Sequence, residues 1–169
     1  AEASDLMRTA RAVGSVQSTQ GDPVVAAIEL GLPHQVTPQD AEHWIRAIQE
    51  GCELPLLVKL PLNAPPEVAE AAVNAYADAL VIGTGPPGAA VLPDQTGTTS
   101  GILYGPAIHS LALHQLQLFS EIGIPLVAAG GIHSVAHAQA FLETGAVAIQ
   151  LDSTLFVDPQ LANNIAQAV

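Results

Sequence analysis

Five short runs of almost continuous apolar residues, at 24–30, 54–60, 79–83, 125–129 and 146–151, recur along the chain. A strand with one wet face alternates apolar and polar residues. A run that is apolar at nearly every position belongs to a strand covered on both faces, as in parallel sheets flanked by helices. The intervening stretches carry helical signals at 38–50, 65–77, 106–122 and 134–144. Thr37-Pro38 sets a capping hydroxyl before proline at the first helical position. Pro65-Pro66-Glu67 places acid in a first turn, and Ser134 caps the fourth stretch. Gly51, Gly123 and Gly145 stand where helices should stop. This strict alternation of strand and helix predicts an α/β fold of right-handed parallel units. Residues 4–13 and 157–168 read as two further helices, the latter opened by Asp158-Pro159. The longest patternless stretch is 84–105, and a loop of that length is usually functional or mobile.

Five strands cannot close an eight-stranded barrel, which takes about 250 residues. The 169 residues therefore read as one domain, 1–169, that is either an open sheet or part of a barrel whose earlier strands lie outside this sequence. In the second case two sheet edges need a partner chain or a further segment to cover them. Apolar residues make up 49% of the chain and charged ones 12%, which excludes a disordered polypeptide. Proline, glycine and charge interrupt every apolar run, so none predicts a bilayer span.

Only Lys59, Arg8, Arg11 and Arg46 are cationic, and the formal net charge is −12. Such a surface cannot neutralise many phosphates, so nucleic acid is not an expected partner. An acidic membrane would repel it. A small anion bound by backbone N–H groups remains open. The lone Cys52 can form no internal disulfide and reads as packing. With no basic-then-apolar leader in view, a cytoplasmic location is the expectation.

Three places could carry chemistry. Gly130-Gly131-Ile132 follows an apolar run and precedes the Ser134 cap, an arrangement that lets a backbone approach an anion at a helix start. Gln150-Leu151-Asp152-Ser153-Thr154 repeats that setting one strand later, and consecutive strand ends of this kind often share a phosphate. Lys59, the one lysine, closes the apolar Leu56-Leu57-Val58 stretch. Placing an ammonium there costs several kcal/mol unless an anion accompanies it. That anion is either a ligand or Glu29 on the preceding strand. His34 follows the first strand in Gly31-Leu32-Pro33-His34, where a histidine can act as a base near neutral pH. His133 and His137 read as a surface pair, and the histidines give no metal-site pattern.

These residues, taken in order, resemble the carboxy-terminal portion of dihydroorotate dehydrogenases. Gly101-Ile102-Leu103-Tyr104-Gly105-Pro106-Ala107-Ile108 is similar to that family's Gly-Gly-Leu-Ser-Gly-Pro-Ala run. Ile124-Pro125-Leu126-Val127-Ala128-Ala129-Gly130-Gly131-Ile132, Ala148-Ile149-Gln150-Leu151 and Phe156-Val157-Asp158-Pro159 follow in order. Leu57-Val58-Lys59-Leu60 and Asp78-Ala79-Leu80 precede them. The likeness extends over about four fifths of the chain.

The resemblance implies a TIM-type (β/α) barrel with strands four to eight present and the amino-terminal strands absent. It implies flavin mononucleotide (FMN) as cofactor and an oxidoreductase that moves hydride from a small dihydro-substrate, in pyrimidine biosynthesis. By position it assigns flavin contacts to Lys59, Ile82, Thr84 and Gly105. It assigns the phosphate to Gly130, Gly131, Asp152 and Ser153, and the catalytic base to His34. A homo-oligomer, or cover from a missing amino-terminal segment, is expected.

Departures accompany the likeness. The family's substrate-binding asparagines fall on Gly31 and Gly83, its Pro-Asn on Gln35-Val36, and its phosphate-site Gly-Thr on Asp152-Ser153. A pocket built on amide hydrogen bonds does not work without them. A degenerate, non-catalytic relative that keeps the barrel for binding or structure is therefore an alternative expectation. An isomerase of phosphorylated metabolites is a further one.

Overall fold

A computed structural model describes residues 2–94 and 96–169. The chain falls into two compact units. The first holds the chain up to Leu60 together with Ala64–Val81 and Glu121–Pro125. The second holds Pro61–Asn63, Ile82–Ser120 and Leu126–Val169.

In the first unit helix α1 (Ala3–Gly14) leads to strand β1 (Ile28–Gly31), helix α2 (Pro38–Gly51), strand β2 (Leu56–Pro61), helix α3 (Pro66–Asn74) and the start of strand β3 (Ala79–Thr84). β1 pairs in parallel with β2, and Gly31 stands opposite Lys59. Period-two geometry then divides the pair into two faces. Leu30, Leu56, Val58 and Leu60 are buried on one, while Glu29, Gly31, Leu57 and Lys59 share the other. β2 is followed in hydrogen-bonded order by β3. Asp78 fastens that junction twice: its N–H donates to the Leu56 carbonyl, and its Oδ2 accepts the Leu56 N–H at 2.7 Å.

Thr37 caps α2 as its sequence predicts, its Oγ1 accepting the Asp40 N–H at 3.1 Å. The α2 face that bears Ala41, Ile45 and Ile48 is buried, and each large aliphatic side chain so placed contributes about 1.5–3 kcal/mol. Gly51 is not a left-handed stop. It ends α2 in helical conformation, and close packing requires glycine there, since a Cβ would lie 2.5 Å from the Met7 carbonyl of α1. Cys52 packs beside Gly14, whose missing Cβ would lie 2.8 Å from the Cys52 Cβ.

The second unit carries the end of β3, strands β4 (Pro87–Val91) and β5 (Thr98–Ile102), and a 3-10 turn at Pro106–Ile108. Helix α4 (His109–Phe119), strand β6 (Leu126–Ala129), helix α5 (Val135–Glu143) and strand β7 (Ala148–Gln150) follow. A second 3-10 turn at Ser153–Phe156 and helix α6 (Leu161–Ala168) end the chain. The hydrogen-bonded order is β3-β6-β7, with β6 and β7 parallel. Fully buried Ile82, Ala128, Leu116, Ala138 and Phe141 make its core.

α5 stops in a Schellman motif. Ala146 N–H reaches the Phe141 carbonyl, Gly145 N–H reaches Leu142, and Gly145 is left-handed at φ 108°.

Two expectations need correction. The stretch 84–105 is not irregular: β4 and β5 form an antiparallel hairpin, Pro87 opposite Ile102 and Val91 opposite Thr98. Its residues are almost all exposed, so no apolar alternation marked it. The helix read at 65–77 ends at Asn74. Tyr76 takes the left-handed position at φ 65° that a glycine usually fills, and Ala77 N–H closes the motif on Ala72. No helix among the described residues is long and apolar enough to cross a membrane.

Candidate active and cofactor site

Lys59 lies on β2, two residues before its end, on the less buried face of the β1–β2 pair. Its backbone carbonyl accepts the Leu32 N–H at 2.9 Å, which carries the parallel pairing one residue past β1. Its Nζ lies 3.6 Å from Glu29 Oε1, and the two side chains are 21% and 32% exposed. The distance is that of an ion pair beyond direct hydrogen-bond range. Opposite Lys59 stands Gly31, and a Cβ added there would meet nothing within 4 Å. The side-chain volume beside the lysine is open. His34 sits half-buried in the turn after β1. These are the first unit's shares of the expected site.

The second unit holds the others. Ile82 is completely buried in β3, so Thr84, half-buried at the strand end, is the polar side chain available there. Thr84 uses its carbonyl to accept the Leu62 N–H at 3.0 Å. Gly83 is locked by packing. It is extended at φ 154°, and a Cβ would run into the backbone of Ala129, 2.7 Å from that residue's own Cβ. No side chain, amide or otherwise, fits at this position. Gly105 precedes the 3-10 turn at φ 108° with nothing within 4 Å of a notional Cβ. Its glycine therefore leaves backbone open to a neighbour.

Gly130 and Gly131 both take positive φ, 90° and 72°. The turn they form lies against α4: a Cβ on Gly131 would fall on the backbone N of His109 and 2.8 Å from its Cβ. Gly131 is thus required by protein packing, independent of any ligand. Ser134 caps α5 as expected, its Oγ accepting the His137 N–H at 3.2 Å. One strand later, Asp152 is exposed and makes no side-chain cap bond, and Ser153 begins the Ser153–Phe156 turn half-buried.

His133 and His137 do pair, but less exposed than the sequence reading of a surface pair implies. Both are half-buried. The His133 N–H donates to His137 Nδ1 at 3.2 Å, and His137 stacks on His109 with ring centroids 4.2 Å apart. His109 was passed over altogether. Only its place at the start of a helix, one strand connection away from Gly131, could have drawn attention to it. Burial pushes the His109 pKa below the ordinary histidine value, and the neighbouring His137 ring adds to that. A hydrogen bond with the His137 carbonyl pulls the other way. Among the described residues no group of three His, Cys, Asp or Glu side chains is placed to hold a metal ion.

The sequence matches the family model "Dihydroorotate dehydrogenase" over residues 18–169. The chain belongs to the dihydroorotate dehydrogenase family. It is 33% identical over 147 residues to the catalytic subunit of dihydroorotate dehydrogenase B (NAD(+)) of Geotalea daltonii, a match over 82% of this chain and 48% of that protein. It is 32% identical over 161 residues to the corresponding subunit of Geobacter sulfurreducens, covering 85% and 53%. The chain spans about half the length of these curated relatives.

A crystal structure of dihydroorotate dehydrogenase from Eimeria tenella in complex with ferulenol superposes with a TM-score of 0.76 at 14% identity. It covers 98% of this chain and 52% of that one. The ligand-free type of the same enzyme gives 0.61 at 16% identity, covering 78% and 44%. These likenesses establish the α/β fold with its parallel strands.

Flavin mononucleotide is the typical cofactor of this family, and each unit has local features to compare with that group. A half-buried lysine stands beside open volume at Gly31. Gly105 offers bare backbone, and the 130–134 turn leads into a capped helix.

Proposed function

We propose that the chain is the carboxy-terminal part, strands four to eight, of a (β/α) barrel oxidoreductase of the dihydroorotate dehydrogenase kind. The reading assigns it FMN and a small dihydro-substrate, in pyrimidine biosynthesis or a related conversion, and a cytoplasmic location. The observation that carries it is the family match over residues 18–169, in which the single lysine of the chain lies half-buried on β2 with its ammonium 3.6 Å from the Glu29 carboxylate.

In this reading Lys59 supplies positive charge where negative charge grows during reduction. Thr84 and Gly105 contact the cofactor, Ile82 lines it through its backbone, and the N–H groups of Gly130, Gly131 and Ser153 hold its phosphate. Asp152 takes part through its backbone alone, since its carboxylate would repel a phosphate. His34 removes the substrate proton. Bound flavin supplies the hydride acceptor.

The substrate differs from orotate in its hydrogen-bonding groups. The resemblance puts the family's substrate amides at Gly31 and Gly83, and at Gly83 the Ala129 backbone occupies the place such a side chain needs. Segments or partner chains outside this sequence cover the free sheet edges, as a homo-oligomer or as the earlier strands of the barrel.

Turnover of dihydroorotate and of less polar cyclic dihydro-compounds, with an artificial electron acceptor, tests this assignment. Activity on the second group that His34→Ala abolishes is expected. Reduction by neither group in a flavin-loaded protein would refute it.

A further inference from the structure

Three histidines secure the turn that leads into α5, and their hydrogen bonds define where each proton sits. The His109 ring faces the His137 carbonyl, with Nε2 3.2 Å from the oxygen. A carbonyl only accepts, so His109 Nε2 carries a hydrogen. The His133 backbone N–H points at His137 Nδ1. An N–H only donates, so Nδ1 of His137 carries none, and the neutral ring is the Nε2–H tautomer. The two rings stack at an interplanar angle of 25°, and Phe141 closes the other side of His109 at 4.7 Å. Beneath them Gly131 lies directly on the backbone of His109.

His137 is the third residue of α5, where a capping box places Glu or Gln to reach back and accept a backbone N–H ahead of the helix. Here an imidazole takes that role, and an imidazole loses its acceptor when it is protonated. With a hydrogen on Nδ1 the ring would face the His133 N–H donor to donor.

We infer that His137, stacked on His109, is a proton-operated clasp on the 130–134 turn: neutral it holds the turn closed, and protonated it releases the His133 amide. From α4 the group facing His137 is His109, which cannot share a second positive charge at this distance without cost. β7 and α6, the other elements packed on α5, contribute no ionisable side chain. His133 lies on the turn itself, and Glu143 is exposed at the far end of α5. Burial displaces the His109 pKa downward. The consequence for ligand binding rests on the proposal that this turn holds a flavin phosphate; the clasp itself does not.

Nitrogen-15 spectra of the histidine rings and amide hydrogen exchange of the intact protein test the inference. Neutral His137 is expected as the Nε2–H tautomer. The protection factor of the His133 amide should fall roughly fivefold to tenfold over the pH range in which the His137 ring itself titrates. In His137→Gln, whose side-chain oxygen accepts at every pH, that protection should stay flat. An Nδ1–H tautomer at His137, or unchanged His133 protection across its titration, would overturn the clasp.

FMN affinity measured on both proteins supplies the separate arm. On acidification the wild type should weaken relative to His137→Gln by the same factor, and a constant ratio would count against the coupling of clasp and ligand. Absence of flavin binding by either protein at any pH, with the ring and amide results as expected, would sink the flavin reading and leave the clasp supported.

Discussion

Tyr76 shows how one residue can conceal a boundary. It is 74% exposed and left-handed at φ 65°, a conformation that costs a side-chain-bearing residue about 1–2 kcal/mol. Its carbonyl accepts a 2.8 Å bond from Gln49 Nε2, which a glycine backbone would keep. Tyr76→Gly should therefore raise stability by about 1 kcal/mol, read from urea midpoints; a loss would show that its ring packs after all. The same residue explains why the end of α3 was illegible: a Schellman stop without its glycine leaves no letter to read. Lys59 and His34 drew attention in the sequence for the opposite reason. A cation closing an apolar run is a conspicuous expense, and a histidine just past a strand end stands where chemistry is usually done. Lys59→Met should change stability by no more than about 1 kcal/mol, since the Glu29 pair is partly solvated. It should weaken FMN binding about tenfold or more, measured by fluorescence quenching.

At the scale of elements, the Gly130-Gly131 turn was read as a place where backbone meets an anion, and its geometry adds a second reason for glycine. Gly131→Ala must force a left-handed alanine into the start of α4, and should cost at least about 2 kcal/mol or prevent folding. A stable Gly131→Ala protein would contradict the packing described. The stacked His109 gives this region a pH signature. Its folded pKa is depressed below 6.5, so as pH falls through that value the unfolded chain takes up a proton that the folded ring resists. The stability it contributes is complete above about pH 6.5 and is lost on acidification toward the folded value. His109→Phe should flatten that part of the stability–pH curve, seen in urea midpoints between pH 7 and 5. The caps at Thr37 and Ser134 and the stop at Gly145 were readable because capping chemistry is local. The β4–β5 hairpin was not, because both of its strands are exposed and apolar periodicity had nothing to report.

For the whole molecule, the strand–helix alternation was enough to predict the parallel α/β class; β1, β2, β3, β6 and β7 fall on the five apolar runs, β2, β3 and β6 largely buried and β1 and β7 partly exposed. Membership of the dihydroorotate dehydrogenase family follows from the match over residues 18–169. The chain spans about half the length of its curated relatives. What sequence could not reveal is which positions had lost room for a side chain. Gly83 reads as a simple substitution, yet the Ala129 backbone shows that nothing larger than hydrogen fits there. The central claim is that this scaffold still takes a flavin through its one lysine. Visible absorbance of the purified protein titrated with FMN tests it directly. The account predicts a saturable shift of the flavin bands that is largely lost in Lys59→Met. Bands that stay those of free flavin, or an identical shift in both proteins, would contradict it.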